Sequence, residues 1–310
     1  MASVIEPDDI DWPAYMRESD PRALVRPASA FMAEVEEYLA SGPHAGGDLL
    51  PWSKTEDDIR LRPGEVSVWA GINGHGKSLL LGFVTLGLMR QKRRCLIASF
   101  EMQPRATIAR MARQASQGSA PSSDFLRSFG RWTDGRLWIY DQQSTVRADQ
   151  MLAVCRYAHQ ELGMHHIVID SLMKCVRGED DYNGQKEFLD ALTTIARSTN
   201  MHIHLVHHMR KAGDERAVGG KFDLKGSGSI TDQVDNVFIV WRNKRKQFDL
   251  QAGIAIDEGA PDAVLVCEKQ RHHGEGEGKT ALWYHAPSMQ FVERAGQNPQ
   301  AFLRHLEAVA

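Results

Sequence analysis

The sequence predicts an α/β fold built on a mostly parallel sheet flanked by helices, and three observations lead there. Short, nearly continuous apolar runs recur at residues 66–70, 95–100, 137–140, 166–169, 203–206 and 237–241. Between them, segments at 79–90, 105–117, 148–162 and 185–198 carry apolar residues at helical spacing. Strands apolar on both faces that alternate with helices make a parallel sheet covered on both sides. Finally, residues 71–78, GINGHGKS, fit the phosphate-binding pattern G-x-x-x-x-G-K-[ST] at the junction of the first strand and first helix, which is the context that pattern requires.

The remaining segments follow from the same reading. Beyond residue 237 the helical spacing stops, and 264–268, 281–285 and 290–292 read as short antiparallel additions at the sheet edge. Residues 1–27 are acidic and proline-punctuated, so an extended or poorly ordered stretch is expected. Residues 28–40 place Phe31, Met32, Val35 and Leu39 on one helical face. That face must be buried by the chain's own core or by a neighbouring subunit. Residues 41–47 form a Gly/Pro/Ser linker. The expected division is therefore an N-terminal acidic segment and helix at 1–48, a main domain at 49–293, and a tail at 294–310 with a short helix from 298.

Composition narrows the partners. The 310 residues are 42% hydrophobic and 25% charged with a net charge of −3, so no overall basic field advertises nucleic acid, and such binding needs a local patch. Cys95, Cys155, Cys175 and Cys267 are far apart and read as small buried residues in a reducing cytoplasm rather than a zinc site or disulfide framework. The start, MASVIEPDDIDW, lacks an apolar leader core, and no apolar run approaches the ~18 residues of a membrane span. A cytoplasmic protein with no membrane partner is expected.

The chemistry concentrates at strand ends. In open parallel sheets, ligands bind beyond the carboxyl ends of the strands. Gly71, Asn73, Gly74, His75, Gly76, Lys77, Ser78 and Leu79 form the nucleotide cradle. There, backbone N–H groups at a helix N-terminus receive phosphate. Lys77 is placed to reach the β- and γ-phosphates, and Ser78 to hold Mg²⁺. Asp170, ending an apolar strand, suits a Mg²⁺ partner beside Ser78, although a strand-end Asp is also a common turn residue. Glu101 suits a general base for the attacking water. A histidine at 207 or 208 suits a γ-phosphate sensor. The expected ligands are thus ATP, or another nucleoside triphosphate, and Mg²⁺.

Two cationic groups lie downstream. Lys269 and Arg271, two apart on a strand, point to one face; they read either as surface charges or as stabilisers of transition-state charge on a γ-phosphate. Residues 209–225 carry Arg210, Lys211, Arg216, Lys221 and Lys225 among glycines. A flexible cationic loop of this kind fits contact with a nucleic-acid backbone. Arg242, Lys244, Arg245 and Lys246 make another basic run, read as a solvated turn.

Several segments together resemble the DnaB-like ring helicases (superfamily 4), closest in pattern to the helicase halves of phage primase–helicases and of Twinkle. They are the strand ending in Glu101-Met102, IVIDS at 167–171, VHHMRK at 206–211, DLKGSGSI at 223–230, DNV at 235–237, RN at 242–243 and EKQR at 268–271. The resemblance implies a RecA-like P-loop NTPase core assembled as a ring, usually of six subunits. Arg271 would be the arginine finger and Lys269 its companion, both acting on the neighbour's triphosphate. His208 falls on the sensor position, and Arg242 joins the nucleotide-binding set. The loop after His208 would grip single-stranded DNA in the channel, and the helix near 28–40 would dock on the adjacent subunit. Too few residues precede the core for a primase domain or helical collar, so a separate primase or loader is expected. The implied function is an ATP-dependent DNA helicase translocating on single-stranded DNA. The rival is a non-translocating RecA-like ATPase such as a helicase loader or recombination mediator.

Overall fold

The computed structural model describes residues 3–5, 11–15, 27–41, 46–178, 180–209, 229–272 and 277–303. The strands are β1 (Ser3–Ile5), β2 (Val66–Gly71), β3 (Cys95–Ser99), β4 (Leu137–Tyr140), β5 (His166–Asp170), β6 (His202–His208), β7 (Asn236–Arg242), β8 (Ala263–Gln270), β9 (Gly278–His285) and β10 (Gln290–Val292). The helices are α1 (Trp12–Tyr15), α2 (Met32–Ser41), α3 (Lys77–Arg90), α4 (Pro104–Ser116), α5 (Ser123–Thr133), α6 (Ala148–Gln160), α7 (Tyr182–Thr199), α8 (Ser229–Gln233) and α9 (Lys244–Gln251).

One sheet runs in the order β1-β4-β3-β5-β6-β2-β7-β8-β9-β10. Every pairing from β1 to β7 is parallel, and every pairing from β7 to β10 is antiparallel. This is the α/β architecture that the strand–helix alternation predicts, with the antiparallel strands on the C-terminal side. The central strands β2, β3 and β5 are buried along their whole length. Apolar clusters cover both faces, one around Val68, Ile169 and Leu205 and one around Trp69, Val168 and Phe238. Helix α3 is apolar on nearly every side because it is enclosed by the second cluster. At Gly87 its backbone approaches Pro51 so closely that a Cβ would sit 3.1 Å from the Pro51 ring.

Several elements differ from the sequence reading. Residues 3–5 are extended, as one of the two expected alternatives has it, but they also pair, as a parallel edge strand in register with Trp138, Ile139 and Tyr140. Tyr15 of α1 packs edge-on against Tyr157 and bonds Glu161 at 2.9 Å. Helices do not stop after residue 237: of the basic run read as a solvated turn, Arg242 ends β7 and Lys244, Arg245 and Lys246 open α9, with Lys246 buried and bonded to the Ala260 carbonyl at 2.6 Å. Charge periodicity, not apolar periodicity, supports α9, through Arg245–Asp249 at i,i+4 and the Asn243 cap on the Lys246 amide. Helix α5 is a further element absent from the sequence reading. Its signals are a Ser122 cap on the Phe125 amide and apolar Phe125, Phe129 and Trp132 at helical spacing, interrupted by Gly130. Residues 298–303, expected to open a helix, carry no regular structure. Instead Phe302 is buried against Phe83 and Gln300 exchanges two hydrogen bonds with Gln290. The helix expected at 28–40 is present as a 3-10 turn at Ala28–Phe31 followed by α2.

At the amino ends of the central strands lies a buried polar chain. Trp69 Nε1 can only donate, and it donates to His204 Nδ1 at 3.1 Å. The His204 proton therefore sits on Nε2, facing His166 Nδ1 at 3.1 Å. The His166 proton in turn faces the Asp48 carboxylate at 2.8 Å. His202 donates from Nδ1 to the Arg62 carbonyl and accepts from the Ser67 hydroxyl, both at 2.7 Å. Burial holds all three imidazoles below their ordinary value, His202 at about 3. Burial alone would raise Asp48, but His166 and Arg93 bring its carboxyl below the ordinary range.

Below about pH 6.5 the unfolded histidines take up protons that the folded ones refuse. Stability should therefore be full at neutral pH and fall on acidification, by about 1.4 kcal/mol per pH unit for each histidine involved. Urea denaturation at pH 7.5 and 5.0 checks this. Equal midpoints at the two pH values would contradict neutral burial of the three rings.

Candidate nucleotide site

Strand β2 delivers the chain to Gly71, and α3 opens at Lys77. A Cβ at Gly71 would lie 2.5 Å from the Val240 carbonyl, so the loop can pass β7 only with glycine there. Gly76, the residue before the helix, has φ +89°, a conformation that favours glycine. The loop thereby turns its amide groups into the N-terminus of α3, where the helix dipole and unsatisfied N–H groups attract anions.

Asn73, Gly74, Gly76, Lys77, Ser78 and Leu79 line a cavity of about 560 Å³, and Glu101, Asp170, His208 and Arg242 line it too. The structure thus gathers most of the sequence-predicted nucleotide residues in one place. His75 differs, because its side chain is buried and its Nδ1 accepts from the Arg242 amide at 3.2 Å. It ties the loop to the end of β7 instead of facing the cavity. Gly71 acts from below, through its carbonyl.

The Lys77 ammonium donates to the Gly71 and Ile72 carbonyls at 2.8 and 3.2 Å. Burial lowers its pKa to about 8, against the opposing pull of Asp170 and Glu101. It is therefore charged at neutral pH and close to where phosphates would lie. Ser78 Oγ donates to Asp170 Oδ2 at 2.5 Å. Asp170 is 5% exposed, and burial raises its pKa despite the Ser78 bond. Two hard oxygens meeting at a cavity wall, one of them a desolvated carboxylate, fit Mg²⁺. Glu101 is half exposed at the end of β3, with Oε1 4.0 Å from His208 Nε2. His207, the alternative sensor, is fully buried.

The cavity also holds residues that sequence reading missed. Arg110 reaches it from α4, nine residues after Glu101, and its charge acts on Asp170. Helical periodicity marks α4 but gives no reason to single out one arginine among Arg105, Arg110 and Arg113. Tyr284 of β9 faces the cavity with the Arg242 guanidinium 5.3 Å from its ring centroid. Met102 and Met289 complete the wall.

Lys269 and Arg271 are not part of this cavity. Strand β8 runs antiparallel to β7 and pairs Lys269 with Val237 and Gln270 with Asn236. Both cations therefore lie at the amino end of β2, and the phosphate loop lies at its carboxyl end. Lys269 Nζ donates to the Thr231 and Val234 carbonyls at 2.7 and 2.8 Å, and Arg271 Nη2 to the Asp232 carbonyl at 2.8 Å. The two cations so satisfy the C-terminal carbonyls of α8, the favoured place for positive charge on a helix. They do share one side of the strand, as their spacing predicts. Gln270 points the other way and bonds the Asp58 carbonyl and the Arg60 amide. Arg210, Lys211, Arg216, Lys221 and Lys225 lie outside the described residues.

Comparison with known proteins agrees with this geometry. A solved ATPase domain matches with a TM-score of 0.70 and 15% identity over 86% of this chain and 97% of that one. A DnaB-like replicative helicase, solved with attention to its interactions with primase, matches with a TM-score of 0.65 and 14% identity over 86% of this chain and 67% of that one. At such identities the likeness is one of fold. Residues 58–214 match the sequence-family model described as AAA domain. With half of its length inside that match and a phosphate loop, Asp170 and Glu101 around one cavity, the chain belongs to the AAA-domain family of P-loop NTPases.

Proposed function

We propose that the protein is an ATP-hydrolysing motor of the DnaB-like type, assembling head to tail into a ring, usually of six, and translocating on single-stranded DNA. One observation carries the reading. The cavity gathers the phosphate loop, Ser78, Asp170 and Glu101, yet Lys269 and Arg271 sit at the far end of β2. That strand has six residues, roughly 17 Å at the rise of a β-strand. Cations so placed cannot serve their own cradle, and they suit the cradle of an adjacent copy.

The roles follow from chemistry. Lys77 exchanges its two carbonyl partners for the β- and γ-phosphates. Ser78 and Asp170 would hold Mg²⁺, which neutralises charge on the phosphate oxygens when bound. Glu101 orients and deprotonates the attacking water. His208, beside Glu101, reports the γ-phosphate to the segment that follows it, where Arg210, Lys211, Arg216, Lys221 and Lys225 contact the DNA backbone. Arg242 and Tyr284 present a cation and a ring face to the nucleobase. The neighbour's Arg271, with Lys269, stabilises transition-state charge. Helix α2 supports assembly: Met32, Val35 and Leu39 are exposed, an apolar face that a neighbouring copy would cover. A separate primase or loader fits the same scheme.

Lys77→Ala should reduce ATP hydrolysis at least about 100-fold. Arg271→Ala should reduce it about 1000-fold, and mixing it with Glu101→Ala protein should restore part of the rate. Absence of recovery at every mixing ratio would defeat the shared site. Affinity for an oligothymidylate should fall steeply between about 50 and 200 mM salt, with a log–log slope that loses about 0.7 for each phosphate contact removed. Removing Lys221 and Lys225 together should therefore flatten the slope. On a forked duplex, ATP-driven strand displacement is expected; DNA-stimulated hydrolysis without displacement would favour a non-translocating ATPase such as a loader or recombination mediator.

A further inference from the structure

Asp235 sits between α8 and β7, 2% exposed, and nothing in the scheme above uses it. Two hydrogen bonds fix it to β2. Its amide donates to the Val66 carbonyl at 3.0 Å, and its Oδ2 accepts from the Val66 amide at 2.9 Å. Two further contacts hold Arg271. The Asp235 carbonyl accepts from the Arg271 amide at 2.9 Å, and Oδ1 lies 3.5 Å from Arg271 Nε. The same Oδ1 lies 3.7 Å from Arg197 Nη2, on α7.

A buried carboxylate is costly unless paired. Here the backbone of β2 holds one oxygen, so the other has a fixed position. Arg271 stands just past the end of β8, where strand pairing no longer restrains its side chain. Its Nη2 has the α8 carbonyls as partners in the isolated protomer. Those partners are neutral and can be exchanged. Asp235 grips the guanidinium at Nε, the end nearest the backbone, and leaves the fork to point elsewhere.

We infer that Asp235 is a positioning residue for Arg271: anchored to β2, it fixes the Nε end of the guanidinium so that the fork can leave the α8 carbonyls for a neighbour's triphosphate. The inference rests on the proposed action of Arg271 on the adjacent copy. Arg197, 3.7 Å from the same oxygen, leaves it a second cationic partner during that exchange.

Asp235→Asn tests it. The amide oxygen can still accept from Val66, so the protomer should melt normally, while the charge that aims Arg271 is gone. The ATPase kcat should fall about 10- to 100-fold, as for small misplacements of a catalytic group, with KM for ATP within about twofold. Adding Asp235→Asn to Arg271→Ala should produce no further loss. Mixing Asp235→Asn with Glu101→Ala protein should restore activity, because the Glu101→Ala copies supply intact fingers to the Asp235→Asn copies. Asp235 also touches β2, which leads to its own phosphate loop; a defect acting by that route would persist in the mixture and overturn the inference. So would an unchanged kcat. Arg271→Ala mixed with Glu101→Ala is the control. If that pair fails to recover, the shared-site reading itself falls; if it recovers and Asp235→Asn does not, only the inference falls. Should Asp235→Asn be unstable, Asp235→Glu keeps the charge, and a folded Asp235→Glu protein as slow as Arg271→Ala would overturn the assignment.

Discussion

Strands β1, β4, β3, β5, β6, β2 and β7 run the same way, so their carboxyl ends share one edge of the sheet. Residues far apart in sequence meet there for that reason alone. Ser78 follows β2, Glu101 follows β3, Asp170 ends β5 and His208 ends β6. The reversal at β8 carries Lys269 and Arg271 to the other edge. Strand direction thus separates the phosphate loop and the residues around its cavity from Lys269 and Arg271. A single protomer has both sets but cannot bring them together.

The interior sets where that arrangement is rigid. The carboxyl edge is polar and half open, with Glu101 exposed and Lys77 tuned by burial. The amino edge is closed by the Asp48–His166–His204–Trp69 chain, in which each donor faces an acceptor. Such a chain holds only with neutral rings, and it fixes β5, β6 and β2 in one register. The loop end can then accommodate a ligand while the other end of the same strands keeps its place.

Much of this was legible in the sequence because it depends on local pattern. Apolar runs gave the strands, and the glycine spacing gave the loop and the helix after it. Strand-end position gave Asp170 and Glu101. The residues that escaped depend on contacts made over long distances in the chain. Arg110 is one arginine on a helix whose rotation brings it to the cavity that Asp170 lines, and Tyr284 reaches the same cavity only because β9 is added beyond β8. His75, inside the motif, reads as a cradle residue, but its ring turns away to bond the Arg242 amide. Helix α9 has no apolar stripe, so hydrophobic period could not reveal it; its support is the Asn243 cap and the Arg245–Asp249 pair. Strand β1 has three residues, too few for an alternating pattern to register.

The Lys77 ammonium already has the Gly71 and Ile72 carbonyls for company. An amine buried without acceptors would either shed its proton or draw in any passing anion. Self-capping spares it both fates. A ligand that reaches the amine must displace two good acceptors, which favours one that meets the amine and the loop amides together. Any ligand that takes the amine thereby also frees the Gly71 and Ile72 carbonyls at the root of the loop.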